Sequence, residues 1–199
     1  KINYRVNKLY TSVFSLPYET SQPVSDIILN NMIIGKRKSN DWIAVTLPDG
    51  RSGFVKERKL ESINHNQLKY LDTKKILLEA YKMTGVPYLW GGNSSKANDC
   101  SGFTQTVFKT IEVQLPRDAR QQALLGNEVV PEQNWKNILP GDLLFFGEDK
   151  RVTHVGISTG GKEFIHQGGM VKTNSLDENS PNFSYKRSKS FLFIKRISP

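Results

Sequence analysis

The sequence predicts an α+β protein in two parts, a small all-β domain followed by a larger domain that mixes helices and strands. Before residue 62, short apolar stretches alternate with turn residues, a pattern typical of strands joined by hairpins. After residue 71, apolar residues first recur at helical spacing and later return to strand patterns. We therefore expect one domain over residues 1–62, a linker over 63–70 and a second domain over 71–199.

The first domain contains one clear hairpin. Trp42–Leu47 has the composition of a strand, Pro48–Arg51 carries Asp-Gly turn chemistry, and Ser52–Val55 has the pattern of the returning strand. Val24–Leu29 and Met32–Ile34 are further short apolar stretches. Several short strands of this kind predict a small barrel.

The linker is polar and contains His65, which we expect to be an ordinary hydrogen-bonded or surface histidine. Asp72 follows the linker and is a residue type that caps helices. Apolar residues behind this cap predict the helix that opens the second domain. They are Ile76, Leu77, Ala80 and Tyr81.

Cys100 is the only cysteine of the chain and follows Asn98 and Asp99, two residue types that cap helix starts. The thiol is therefore expected in the first helical turn, where free N–H groups and the helix dipole lower the pKa of a thiol. A nucleophile fits this position, and a small cysteine that only fills the core fits it equally well. The predicted helix carries apolar residues at helical spacing, namely Phe103, Val107, Phe108 and Ile111.

Two of the three histidines lie in a second predicted hairpin. Val152–Ser158 and Lys162–Gln167 have strand patterns, and Thr159–Gly161 between them has turn chemistry. Residue 160 is midway between His154 and His166. A loop of odd length centred there places the two imidazoles directly opposite each other, with Cβ atoms roughly 4.5–5.5 Å apart, whereas a two-residue loop breaks this pairing.

A thiolate, a histidine that moves protons and a polar group that orients the histidine form the general nucleophilic triad. Cys100, His154 and His166 supply these residue types. The same three side chains are also a plausible set of zinc ligands, so the residues alone leave a zinc hydrolase open.

The end of the chain is predicted to contain a long polar loop at Asn174–Lys189 and a closing strand at Phe191–Ile194. Long loops in compact domains are often functional or mobile.

With these residues in order, the chain resembles the NlpC family of cell-wall cysteine peptidases, whose core is papain-like. The resemblance covers most of the chain after about Leu71. Each matching piece is short, but the ordered set is specific. The pieces are Gly85–Gly92, Asp99–Phe103, Leu115–Gln122, Pro140–Phe146, His154–Ile157 and Phe164–His166.

The resemblance implies a role for each matching residue. Cys100 matches the nucleophile, His154 the general base, and His166 the polar group that orients the base. Further positions match the lining of the family's substrate cleft; they are Tyr88, Asp99, Ser101 and Asp118.

Structural roles are the alternative for three of these residues. Tyr88 is also compatible with a half-buried aromatic, and Asp99 and Asp118 with helix caps. Where relatives often have serine after the last aspartate, this chain has Ala119, so a hydroxyl contact to substrate is expected to be missing.

The first domain resembles the bacterial SH3-like domain that often accompanies this peptidase family, at Trp42, Asp49–Gly50 and Gly53–Val55. Relatives with this layout cleave the bond between γ-D-glutamate and a diamino acid, in stem peptides with a free N-terminal L-alanine. The resemblance implies this activity here, with no cofactor and no metal. Tyr18 is a candidate to complete the pocket for the free amine together with Asp99.

The formal net charge of +9 favours an anionic partner such as peptidoglycan stem peptides or released muropeptides. The basic clusters lack the interleaved aromatics of a nucleic-acid binder, so no nucleic acid is expected. The sequence also lacks an apolar run of the roughly 18 residues that a membrane span needs.

Lys1 begins the chain without a methionine or an apolar leader, so we expect a trimmed protein of the cell envelope, with the export signal absent from this chain. A cytoplasmic recycling role is the alternative location, and we expect a monomer. Two other functions stay open beside a zinc hydrolase. The acyl-enzyme could be captured by an amine, as in an acyltransferase, or the site could be vestigial in a wall-binding module.

Overall fold

The computed structural model describes residues 3–37, 41–63 and 71–197. The chain divides into two compact units, Lys1–Leu68 and Lys69–Pro199. Over its described residues the first unit is built of strands, and the second combines helices with one sheet, in agreement with the predicted α+β class. Most of the predicted linker, residues 64–70, lies outside the described residues, and this part includes His65.

The described part of the first unit contains seven strands and a short 3-10 helix at Glu57–Lys59. The strands are β1 (Tyr4–Val6), β2 (Tyr10–Phe14), β3 (Pro23–Ile28), β4 (Met32–Arg37), β5 (Trp42–Thr46), β6 (Ser52–Lys56) and β7 (Leu60–Ser62). They form an antiparallel sheet in the order β3-β2-β6-β5-β4-β1-β7.

The predicted hairpin is present as β5 and β6, which pair from Trp42 opposite Lys56 to Thr46 opposite Ser52. Gly50 has a φ of 86° in the connecting turn, a backbone conformation that favours glycine. Side chains alternate between the two faces of each strand, so one apolar set is gathered into the core. This set is Val6, Val13, Ile27, Ile33, Ile43, Val45, Leu47, Val55 and Leu60.

The described part of the second unit contains four helices and six strands. The helices are α1 (Thr73–Lys82), α2 (Cys100–Lys109), α3 (Ala119–Gln122) and α4 (Tyr185–Ser190). The strands are β8 (Asn127–Glu128), β9 (Leu143–Glu148), β10 (Arg151–Gly160), β11 (Glu163–Gln167), β12 (Val171–Ser175) and β13 (Phe191–Arg196). Their order in the antiparallel sheet is β12-β11-β10-β9-β13-β8.

Helix α1 begins where the sequence predicts, because the Asp72 side chain accepts a hydrogen bond from the Lys75 N–H at 2.9 Å. Ile76 and Ala80 are fully buried, but Tyr81 of the predicted apolar face is 44% exposed. Among the described helices, none has the length and apolar character that crossing a bilayer requires.

The loop prediction for Asn174–Lys189 is wrong at both ends. Asn174 belongs to β12, where backbone pairing with β11 satisfies its polar groups. Near the other end, the Ser184 hydroxyl accepts a hydrogen bond from the Arg187 N–H and starts α4. The closing strand is confirmed, since β13 includes Phe191–Ile194.

Candidate active site

Cys100 is the first residue of α2, as predicted. Asp99 caps this helix, because its Oδ1 accepts a hydrogen bond from the Gly102 N–H at 2.8 Å. The cap places the thiol in the first turn, and burial of the apolar face anchors the helix behind it. The fully buried side chains of this face are Phe103, Val107 and Phe108.

Gly102 lets α2 approach a neighbouring loop. A Cβ atom at this position would lie 2.0 Å from the carbonyl oxygen of Gly92. Because a Cβ atom this close would clash with the carbonyl oxygen, only glycine allows the backbone contact between the start of the helix and residues 91–93.

The predicted register of the two histidines is wrong. His166 of β11 lies opposite Gly156 of β10, and the pairing shifts between Ser158 and Gly160. The loop between the strands is the two-residue Gly161–Lys162, and this loop together with the one-residue shift leaves the register two positions from the predicted pairing. Because side chains alternate with a period of two, His154 and His166 still share one face of the sheet, in diagonal rather than opposite positions.

The two imidazoles meet across this diagonal. His154 Nε2 lies 2.7 Å from His166 Nδ1, and the ring planes are at 87°. On the far side, His166 Nε2 lies 2.9 Å from Oδ1 of Asn174 in β12. The Asn174 Nδ2 group donates in turn to the carbonyl oxygen of Asn182 at 2.8 Å.

These hydrogen bonds assign the protons. The carbonyl of Asn182 can only accept, so the Asn174 amide presents its oxygen to His166. His166 Nε2 must therefore donate, which leaves His166 Nδ1 as an acceptor in the neutral ring. His154 Nε2 then carries a proton, and His154 Nδ1 keeps a lone pair. This is the form that a general base needs.

Burial keeps both histidines neutral. It lowers the pKa of His154 well below 6.5, with a smaller contribution from the cationic Arg187, and it lowers the pKa of His166 to about 4. The rings of Phe146 and Phe164 provide part of this enclosure, with centroids 5.8 Å and 4.9 Å from those of His154 and His166, respectively. Both imidazoles are therefore neutral at neutral pH.

The pKa of the Cys100 thiol is raised above 9.0 by burial, in the opposite direction to the one that the sequence predicts. Cys100 keeps part of its surface exposed, but loss of hydration is still the largest effect. The backbone N–H groups of Val155 and Ser101 lower the pKa and Asp99 raises it. The helix terminus thus does not outweigh desolvation, and the cleft holds a neutral thiol and a neutral imidazole.

A cleft with a volume of about 1190 Å³ contains these groups. Cys100, His154 and His166 all line it. The structure also places the other predicted residues of the second unit on its wall, namely Tyr88, Asp99, Ser101 and Asp118. Tyr18 belongs to the first unit, lies between β2 and β3 and is 51% exposed, and its role in binding stays a prediction.

Arg117 is a cleft residue that sequence reasoning missed. Its Nη1 and Nη2 donate to Oδ1 and Oδ2 of Asp99 at 2.9 Å and 2.6 Å. Burial alone would raise the pKa of Asp99, but hydrogen bonds from Arg117 and from the Gly102 N–H lower it. The Gly91 N–H also donates to Oδ2, so a substrate ammonium group would share this carboxylate with existing donors. The sequence did offer an indication that Arg117 lies in the cleft, because it directly precedes Asp118 within the matching piece Leu115–Gln122.

Asn174 and Arg187 are two further cleft residues that the sequence did not reveal. Gly168–Gly169 offered a signal for Asn174, because a glycine pair after a strand indicates a hairpin whose second strand returns beside His166. The sequence around Arg187 gives no indication that this residue lies in the cleft. It belongs to a basic cluster that has the composition of a solvated surface, and only the packing of α4 brings it to the cleft.

The zinc alternative has little support from the arrangement of donors. Both nitrogens of His166 already take part in hydrogen bonds. Over residues 3–37, 41–63 and 71–197, no group of three or more histidine, cysteine or acidic side chains is placed to hold a metal ion.

Comparisons with known proteins identify the family of this chain. The sequence model of the NlpC/P60 family matches residues 85–189. The gamma-D-glutamyl-L-lysine dipeptidyl-peptidase of Bacillus subtilis is 44% identical over 85 residues, which are 41% of this chain and 27% of that protein. A probable endopeptidase NlpC homolog of Haemophilus influenzae is 30% identical over 148 residues, 72% of this chain and 74% of that protein. This chain spans only 21% to 27% of the length of three of its curated relatives.

A crystal structure of an NlpC/P60 family protein from Bacillus cereus has a TM-score of 0.81 to this chain at 24% sequence identity. The similarity covers 99% of this chain and 63% of that chain, and it shows a shared fold. The family match extends over more than half of the sequence and includes Cys100, His154 and His166. The chain therefore belongs to the NlpC/P60 family.

Proposed function

We propose that the chain is a cysteine peptidase that hydrolyses peptidoglycan stem peptides at the bond between γ-D-glutamate and a diamino acid. The observation that carries the proposal is the hydrogen-bonded series His154, His166 and Asn174, in one cleft with Cys100. The name of the Bacillus subtilis relative, a gamma-D-glutamyl-L-lysine dipeptidyl-peptidase, supports the substrate class.

In the first step, the sulfur of Cys100 attacks the carbonyl carbon of the scissile amide and its proton passes to His154 Nδ1. The transfer accompanies the attack, because the resting thiol and imidazole are both neutral. The Cys100 N–H lies in the first turn of α2, where backbone donors have no intrahelical partner, and it donates to the oxyanion. His166 accepts from His154 Nε2 and thereby stabilises the imidazolium.

In the second step, the carbon–nitrogen bond breaks and the leaving amine takes the proton from His154 Nδ1. A thioester on Cys100 remains. Water then attacks the thioester carbon and gives a proton to His154. The carbon–sulfur bond breaks, the acid product leaves, and the sulfur recovers its proton from the imidazolium.

The first unit is proposed to be an SH3-like domain over residues 1–62. A linker over 63–70 then leads to the peptidase domain over 71–199. Its antiparallel sheet of short strands and its β5–β6 hairpin support this assignment. Its proposed function is to restrict the substrate to peptides with a free N-terminal L-alanine, with Tyr18 and Asp99 as the residues that recognise the amine.

The expected setting is the cell envelope, with stem peptides or released muropeptides as the partners of a monomeric enzyme and no bound cofactor. Nucleic acid is not an expected ligand, because the basic clusters of the sequence lack interleaved aromatics. An acyltransferase with the same covalent intermediate is the second candidate. In that reaction an amine attacks the thioester instead of water, so the product is a new amide rather than the acid.

Product analysis of a defined peptide tests the proposal. We expect the wild type to convert L-Ala-γ-D-Glu-L-Lys to L-Ala-D-Glu and L-Lys, and Cys100→Ala to give no product although its folding is unchanged. An acetyl group on the L-alanine should lower kcat/KM by about tenfold or more, since it removes a charge-assisted hydrogen bond.

Mass spectrometry identifies the products, and circular dichroism compares the folding of the wild type with that of Cys100→Ala. Full activity of Cys100→Ala would contradict the cysteine-peptidase mechanism. Equal rates for the free and acetylated peptides would contradict only the pocket for the N-terminal amine. Products that carry an added amine would identify an acyltransferase.

A further inference from the structure

Arg187 is a basic cleft residue for which the mechanism above has no role. It lies on α4, and its guanidinium carbon is 5.7 Å from the centre of the Phe146 ring. The ring centre of Phe146 is 5.8 Å from that of His154. Arg187 and the proposed general base therefore lie near the same aromatic ring, and Arg187 lines the same cleft as Cys100.

The environment of Arg187 differs from that of the other cations in the cleft. Arg117 is also half-buried, but its guanidinium is paired with Asp99. Within the described part of the chain, no carboxylate lies within ion-pair distance of Arg187. The remaining basic side chains of the cleft are exposed to water; they are Arg120, Arg151, Lys172 and Lys186.

A half-buried guanidinium without a counterion loses hydration free energy, and burial correspondingly lowers the pKa of Arg187. The Cys100 thiolate would be an internal anion for this cation, but the pKa of the thiol is raised, so the sulfur is uncharged at neutral pH. An anion from outside the chain is therefore the partner that would compensate Arg187. The planar guanidinium suits a carboxylate, which can accept two parallel N–H···O bonds.

We propose that Arg187 binds a free carboxylate of the substrate, within a few bonds of the scissile amide. This inference rests on the proposed function, which supplies two such groups. A γ-linked glutamyl residue keeps its α-carboxylate free on the acyl side, and the diamino acid carries its own α-carboxylate on the amine side. Both have the same chemistry, and a carboxamide at either position would lose the charge and the acceptor pair.

Four enzymes, the wild type and three variants, and three peptides test the inference. The peptides are L-Ala-γ-D-Glu-L-Lys, its glutamyl α-carboxamide and its lysine carboxamide. The enzymes are the wild type, Arg187→Met, Arg187→Lys and Lys189→Met. Lys189 is the matched control, because it is an exposed cation of the same helix, 5.5 Å from the Tyr185 ring and outside the cleft lining.

We expect one of the two carboxamides to lower kcat/KM of the wild type by about tenfold or more, which identifies the bound carboxylate. Arg187→Met should remove this discrimination and react with acid and amide at similar rates, Arg187→Lys should keep part of it, and Lys189→Met should keep all of it. A wild type that accepts both carboxamides as well as the acid would overturn the inference. So would an Arg187→Met variant that is slower on all three peptides by the same factor.

Binding measurements separate this inference from the proposed function. Calorimetry with Cys100→Ala should show tighter binding of the acid peptide than of one carboxamide, and Arg187→Met in the same background should abolish the difference. If the wild type cleaves none of the peptides but this difference is present, the hydrolysis proposal fails and the carboxylate site stands. If the difference is absent, the carboxylate site fails whether or not cleavage occurs.

Discussion

Asn174 is expected to control the proton position on the proposed base, and its replacement gives a sharp test of the tautomer assignment. In Asn174→Leu, the His166 Nε2–H loses its acceptor in a site where His166 is only 2% exposed. Leaving a buried donor unsatisfied costs about 1–3 kcal/mol. The ring avoids this cost by moving its proton to Nδ1, which then donates to His154 Nε2 and forces the His154 proton onto Nδ1.

That second tautomer cannot accept the proton of Cys100. The free-energy difference corresponds to a fall of roughly 5- to 150-fold in the competent population, and kcat should fall by the same factor. Asn174→Asp is the matched control. It keeps the oxygen that faces His166 but loses the Nδ2 donor to the Asn182 carbonyl, so it separates tautomer control from simple anchoring of the neighbouring loop.

The assay combines kcat for stem-peptide cleavage with 15N NMR of the histidine rings. The expected result is a protonated His154 Nε2 in the wild type and in Asn174→Asp, and a protonated Nδ1 in Asn174→Leu. A kcat for Asn174→Leu within twofold of the wild type, or an unprotonated His154 Nδ1 in that variant, would refute the reasoning.

Two further predictions concern titration. The rate of Cys100 alkylation by iodoacetamide should rise with pH through a midpoint above 9.0, because burial raises the pKa of the thiol; a midpoint at neutral pH would show that the helix terminus dominates after all. The contribution of His166 to the unfolding free energy should also fall by about 3 kcal/mol as the pH falls from 6.5 to 4. The pKa of His166 is about 4 in the folded protein and about 6.5 in the unfolded chain. The unfolded state therefore binds more protons in this range, and acid favours unfolding. Urea unfolding at several pH values, with His166→Gln as the reference, measures this difference, and parallel pH dependence in the two proteins would contradict it.

Local sequence determined the features whose causes lie within one helical turn or one strand. The Asp99 cap and the apolar face behind it are separated by a few residues, so they predict where α2 begins and that Cys100 opens it. Strand patterns predict the hairpin that carries His154 and His166, but whether the two side chains share a face depends on the loop length and on the one-residue shift between Ser158 and Gly160.

Tertiary structure decided the contacts between residues that are distant along the chain. The pairing of Arg117 with Asp99 spans 18 positions, and the contact of Arg187 with Phe146 depends on how α4 packs on β9. The two-residue loop Gly161–Lys162 and the shift between Ser158 and Gly160 together set how the two histidines meet. Burial reversed the predicted direction of the Cys100 pKa, because the sequence shows the dipole of one helix but not how much water the surrounding fold removes from the sulfur.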